Sequence, residues 1–169
     1  ENDRLRERQR RLPEQFSNMS IMSTLGIRPG SGCHYLPEGY AVMARQLFPL
    51  VNKYNYGMKS RISVSPPNIQ SVSYTSARKD EIKLVFDQNV NWDGEVAARF
   101  YFDGDAAELA VVGGTGKIMT LKLPGPSTAR TLTYIKGGQW KQEDAIIRGE
   151  NNIAALTFCE VPIRPARPR

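Results

Sequence analysis

At 169 residues, 40% hydrophobic and 24% charged, the chain has the make-up of an ordinary globular protein with room for one good core or two small ones. Its formal charge of +6 is uneven: five Arg against four acids in 1–19 (+1), fifteen bases against thirteen acids in 20–163 (+2), and three Arg in 164–169 (+3). With half of the excess in a short Pro-rich tail and no nucleic-acid motif beside it, a nucleic-acid partner is not expected; no apolar run reaches the ~20 residues of a membrane span, and one His with two Cys offers neither a metal ligand set nor a disulfide scaffold, so no metal and no cofactor are expected.

The N-terminus, Glu1-Asn2-Asp3-Arg4, carries neither a Met nor a basic-then-apolar leader, the pattern of a mature or cut piece. Residues 3–15 are rich in helix formers, with Leu5 and Leu12 one heptad apart, and predict a solvated helix with a thin apolar stripe. Met19–Leu25 then reads as a short buried strand and Gly26–Cys33 as a loop. The single histidine, His34, stands in Gly30-Ser31-Gly32-Cys33-His34-Tyr35-Leu36-Pro37-Glu38-Gly39-Tyr40, a glycine-rich loop running into an amphipathic helix. An imidazole there can accept and return a proton near neutral pH, which makes His34 a candidate general base; a packed or solvated loop residue is the plainer alternative.

Pro37 suits the first turn of that helix, Glu38 is favoured at its positive end, and Tyr40, Met43, Ala44, Leu47, Leu50 and Val51 recur at helical spacing. The surface of Met43, Leu47, Phe48 and Leu50 then needs a protein surface to cover it, either the rest of a layered domain or a partner chain on which residues 1–57 dock as a helical arm. Helix, strand, loop, helix is the closing part of an α/β layered domain, since one strand makes no sheet.

From about Lys59 the pattern changes. Ser63-Val64-Ser65-Pro66-Pro67-Asn68 predicts an extended linker. Seven short alternating segments follow, Val72–Thr75, Glu81–Phe86, Arg99–Phe102, Glu108–Val112, Ile118–Leu123, Thr131–Ile135 and Ala154–Val161, separated by turn-rich breaks such as Asp103-Gly104-Asp105. They predict an antiparallel immunoglobulin-like β-sandwich, and the chain as a whole is α+β. Cys159 is expected in its core; a Cys33–Cys159 bridge would tie the His loop to the last strand, and two unpaired thiols are the simpler reading. Tyr74, Tyr101 and Tyr134 read as core or rim aromatics. Trp92 and Trp140 stand in turn-like segments and are the candidates for stacking on sugar rings, which leaves a non-catalytic carbohydrate-binding or domain-packing module as a second reading of the chain.

Leu5-Arg6-Glu7-Arg8-Gln9, the run into Ser23-Thr24, and Cys33-His34 followed by Pro37-Glu38-Gly39-Tyr40 resemble the last segment of SGNH/GDSL-type hydrolases, more narrowly the sialate O-acetylesterase-like carbohydrate esterases. Phe48-Pro49-Leu50-Val51, Tyr56-Gly57, Phe86-Asp87-Gln88, Leu132-Thr133-Tyr134, Arg148-Gly149-Glu150-Asn151 and Ala155-Leu156-Thr157-Phe158 resemble the appended β-domain of bacterial members. The resemblance implies that residues 1–58 are the C-terminal segment of an α/β/α hydrolase domain, 59–67 a linker, 68–163 the β-sandwich and 164–169 a basic tail. It also implies acetylated carbohydrate as substrate, a periplasmic or secreted setting, and His34 as the base that activates a serine. That serine comes from an early G-D-S block, and a Gly and an Asn from middle blocks complete the oxyanion hole; none of the three blocks matches here, so the nucleophile is expected from an upstream part of the same hydrolase or a partner chain, and this chain alone is expected to be inert. The family places an Asp three residues before the His; here Ser31 stands there, a weak orienter that carries no negative charge.

Overall fold

The computed structural model describes residues 2–28, 34–137, 141 and 144–166. Ser31, Cys33, Trp140, Arg167 and Arg169 lie outside the described residues.

The N-terminal helical stretch is two helices, α1 (Asn2–Arg10) and α2 (Leu12–Gln15). Pro13, which lacks a backbone donor, falls in the first turn of α2, where that donor has no helical partner anyway. α1 is solvated over most of its length, as expected, but the expected apolar stripe is not what docks: Leu5 is exposed while Arg10 is buried, so its docked face is polar. Met19–Leu25 forms no strand. No described strand runs beside it, and Ser23 turns its hydroxyl onto the N–H of Leu25 (3.3 Å), a local bond that competes with ladder formation. α3 (Pro37–Tyr56) starts where the predicted helix does and runs past its last expected position, Val51, with Pro49 inside it. Extended Leu36 precedes it, Pro37 and Glu38 open its first turn, and Gly57 ends it at φ 67°.

Ten strands follow: β1 (Ile69–Tyr74), β2 (Glu81–Phe86), β3 (Val90–Asn91), β4 (Phe100–Phe102), β5 (Asp105–Ala106), β6 (Val111–Thr115), β7 (Ile118–Lys122), β8 (Thr131–Tyr134), β9 (Arg148–Gly149) and β10 (Phe158–Arg164), with a 3-10 helix at Gly94–Arg99. Eight form one curled sheet in the order β5-β4-β8-β10-β1-β2-β7-β6, and β3 pairs with β9. Neighbours are antiparallel except β1 and β10, which run parallel through Val72↔Ile163 and Ser73↔Arg164, a departure from the all-antiparallel expectation. Period-two alternation sends Ile82, Leu84 and Phe86 of β2 and Met119 and Leu121 of β7 into one hydrophobic cluster, where they meet Phe100, Leu132, Tyr134 and Phe158 from the other half of the sheet.

The predicted linker 59–67 divides. Residues 59–62 are exposed, whereas Val64, Pro66 and Pro67 are buried and the carbonyl of Ser65 accepts from Gln88 (3.0 Å) and Asn151 (2.8 Å). Arg164, assigned to the basic tail, is the last residue of β10. Cys159 is half-buried on a bulge of β10 rather than in the core, and is bonded to no described cysteine.

Candidate functional site

The loop carrying His34 is held by the start of α3. Gly39 is buried there, and a Cβ on it would stand 3.0 Å from the carbonyl oxygen of Arg28 and 3.0 Å from the Cβ of Tyr35. Glycine thus lets the chain before the helix cross its first turn at close range. Tyr35 meets Tyr40 edge to face, with ring centroids 5.7 Å apart at 89°.

His34 is exposed, and its Nδ1 lies 3.4 Å from the hydroxyl of Tyr40. In the tautomer whose Nδ1–H donates to that oxygen, Nε2 is unprotonated; in the other, the phenol O–H donates to Nδ1 and Nε2 carries the proton. The neighbour of Nδ1 is thus a phenol. It can orient the ring, and being neutral it adds no charge to balance an imidazolium. The sequence places Tyr40 only at helical spacing with the apolar residues of the helix, six positions after His34, and the contact appears with the helix start.

A cavity of about 360 Å³ opens beside the loop, with Tyr35 as part of its wall. Arg6 and Gln9 of α1, Ser23 and Leu25 of the irregular segment, Ile135 after β8, and Leu156 and Thr157 before β10 line it with Tyr35, so five stretches of the chain meet there, and His34 itself is not among the lining residues. Ile135 holds φ at 62°, an uncommon setting for a β-branched residue, with its N–H donated to Arg99 O at 2.8 Å. The seam is closed by polar contacts of α1. Asp3 accepts the N–H of Gly137 (2.8 Å), and Glu7 accepts the N–H of Cys159 (3.1 Å) while pairing with Arg10 at 2.5 Å. Arg10 also reaches Asn68 Oδ1 at 2.7 Å, and Arg4 pairs with Glu160 at 3.0 Å. The β10 bulge explains why α1 seats here: it frees the N–H groups of Cys159 and Glu160, which the Glu7 carboxylate and the Thr133 hydroxyl (2.9 Å) take up.

Other groups are placed away from this chemistry. Burial pushes the Cys159 thiol up, the Thr133 hydrogen bond works against that, and the charges of Glu160, Asp3 and Glu7 reinforce it, so the thiol is no activated nucleophile. Asp103, in the nearest look-alike of a G-D-S block, sits with Gly104 in the turn between β4 and β5, at φ 49° and 98°; the Asp-Gly pair supplies the two left-handed residues of such a hairpin. Tyr74 is buried and its hydroxyl donates to Ala129 O (2.8 Å), Tyr134 is buried, and Tyr101 is half-buried under Lys136. Trp92 is half-buried and lines a second cavity elsewhere on the β-structure.

No family model and no curated protein matches the chain by sequence. Among solved structures, a carbohydrate acetylesterase from Xanthomonas citri superposes on 79% of this chain with a TM-score of 0.58 at 15% identity, and the chain spans 30% of that protein's length. The fold is thus similar to part of a carbohydrate esterase.

Proposed function

We propose that the chain is the C-terminal portion of a serine carbohydrate esterase that removes O-acetyl groups from sugars, with His34 as its general base. The observation that carries this reading is the exposed imidazole held through Nδ1 by Tyr40 beside a cavity that its neighbour Tyr35 lines. Nε2 would take the proton of a serine hydroxyl as the oxygen attacks the acetyl carbon. It would return that proton to the departing sugar oxygen, and repeat the cycle with water to free acetate. The serine and the oxyanion donors would come from an upstream part of the hydrolase or from a partner chain. The bare face of α3 supports that need for a second body, since Phe48, Val51, Tyr54 and Tyr56 are all exposed while Leu50 alone of the predicted stripe is buried.

On this reading residues 1–58 belong to an SGNH-like hydrolase domain, and Met19–Leu25 becomes a strand only where another strand lies beside it. Residues 68–163 are the appended immunoglobulin-like module. Its curled sheet has two halves, β6-β7-β2-β1 and β10-β8-β4-β5, joined only by the two parallel residue pairs of β1 with β10. In the enzyme that unites this chain with the nucleophile, His34→Ala should lower kcat for an acetylated sugar by roughly 10⁴-fold, with an unchanged melting curve. Activity within a few-fold of wild type would refute the assignment.

A further inference from the structure

The second cavity, about 480 Å³, lies on the β-structure where β3, the 3-10 helix and the segment before β9 converge. It shares no lining residue with the cavity beside Tyr35. We infer that it is a binding site for a neutral saccharide, with Trp92 as the platform for one sugar ring and Asn91, Asp93, Glu95 and Asp144 as partners for its hydroxyls.

Several features converge on that ligand. The indole of Trp92 is half-buried, packs against the hydrophobic core and lines the cavity, so its position is fixed at no further ordering cost. The walls around it are polar and partly locked in place. Asp93 accepts the N–H of Glu95 (3.1 Å), and Asp144 accepts from Arg99 (2.7 Å) and from the N–H of Lys141 (2.6 Å), which fixes both carboxylates. Arg148 is anchored by donating to Asn152 O at 2.9 Å. A sugar's hydroxyls both donate and accept, which suits a mostly polar lining beside one fixed ring. The size falls within the roughly 300–1,000 Å³ of small-ligand sites.

Competing ligands fit less well. Asp93 and Glu95 repel an anion, Arg99 is already paired with Asp144 at 2.7 Å, and Arg148 alone does not offset the carboxylates. A wholly apolar ligand would strand the amide and carboxylates without partners. Among the described residues no three His, Cys, Asp or Glu are grouped to hold a metal ion. The site needs no serine and no acetyl group, so it stands apart from the reading of His34.

Calorimetric titration of the 169-residue chain with unacetylated xylohexaose, cellohexaose and mannohexaose tests the inference. At least one should bind saturably in the millimolar range or tighter. Trp92→Ala should weaken it by about ten-fold or more and Glu95→Ala by several-fold, while a hexuronate oligomer of equal length should bind at least ten-fold more weakly than the neutral one. Because Trp92 also packs on the core, melting curves accompany each variant; should Trp92→Ala unfold, Asn91→Ala and Glu95→Ala, both at exposed positions, carry the test. Absence of binding by all three sugars, equal binding of the uronate, or affinity unchanged in the folded variants would each overturn it.

Discussion

Tyr134 and Tyr40 are both tyrosines whose hydroxyls meet a nitrogen, and their surroundings give them different work. Tyr134 is fully buried, between Phe100 and Phe158 at 5.4 and 5.6 Å, and its hydroxyl accepts the N–H of Ile147 at 2.7 Å. Burial drives its ionisation far up, against the pull of that hydrogen bond, so it stays neutral. Tyr134→Phe should cost ~1–3 kcal/mol, because the Ile147 N–H is left buried and unpaired, and urea unfolding measures it. Tyr40 is exposed and holds the His34 ring rather than the core. In the active assembly Tyr40→Phe should lower kcat by about ten-fold, with KM and melting temperature little changed; an unaltered kcat would assign the orienting role to another group. His34 was legible as a candidate because an only histidine in a glycine-rich loop is conspicuous. Its contact was not, because Ser31 and Tyr40 flank it in sequence and only the helix start brings the phenol to Nδ1.

Among the elements, the start of the long helix and the strictly alternating strands were read truly, and the irregular stretches were not. Glu81–Phe86 is β2 to the residue, since strict alternation over a buried face leaves one register, while Ala154–Val161 became Phe158–Arg164. The reason is the bulge at Cys159 and Glu160, where φ of 54° interrupts the alternation that sequence reading relies on. α1 was misread for a different cause: an apolar stripe was sought, and the docked residues are Asp3, Glu7 and Arg10. Glu7→Ala leaves Arg10 buried beside Asn68 and frees the Cys159 N–H, so hydrogen exchange of α1 should accelerate selectively, with β2 and β7 still protected. Asp103 makes a pH-dependent element. Partial burial works upward on its carboxyl and is outweighed by the N–H and hydroxyl of Thr131 and by Arg130, so it lies below the ordinary value. A carboxyl depressed in the folded state stabilises fully above its unfolded pKa and loses that contribution as pH falls through the folded one. The thermal midpoint should therefore decline more on going from neutral pH to below about pH 4 in wild type than in Asp103→Asn.

Taken whole, the molecule is a well-packed β-structure carrying a seam and a long helix that it does not cover. The core was legible in the sequence because apolar alternation reports burial directly. The sheet's closure was not, because the parallel pairing of β1 with β10 joins residues about ninety apart, a contact no local pattern records. On the proposed function the site is divided in the same way: Gly39, Tyr35 and Tyr40 would set the orientation of the ring, and the attacking hydroxyl would come from another body. Chemical rescue addresses that division most directly. In the assembled esterase bearing His34→Ala, added free imidazole should restore acetyl release in a saturable manner, because the space vacated by the side chain accepts a diffusible base next to the serine. Should acetate release stay at the variant's residual level at every imidazole concentration while the protein remains folded, or should His34→Ala alone leave turnover intact, His34 is not the proton acceptor.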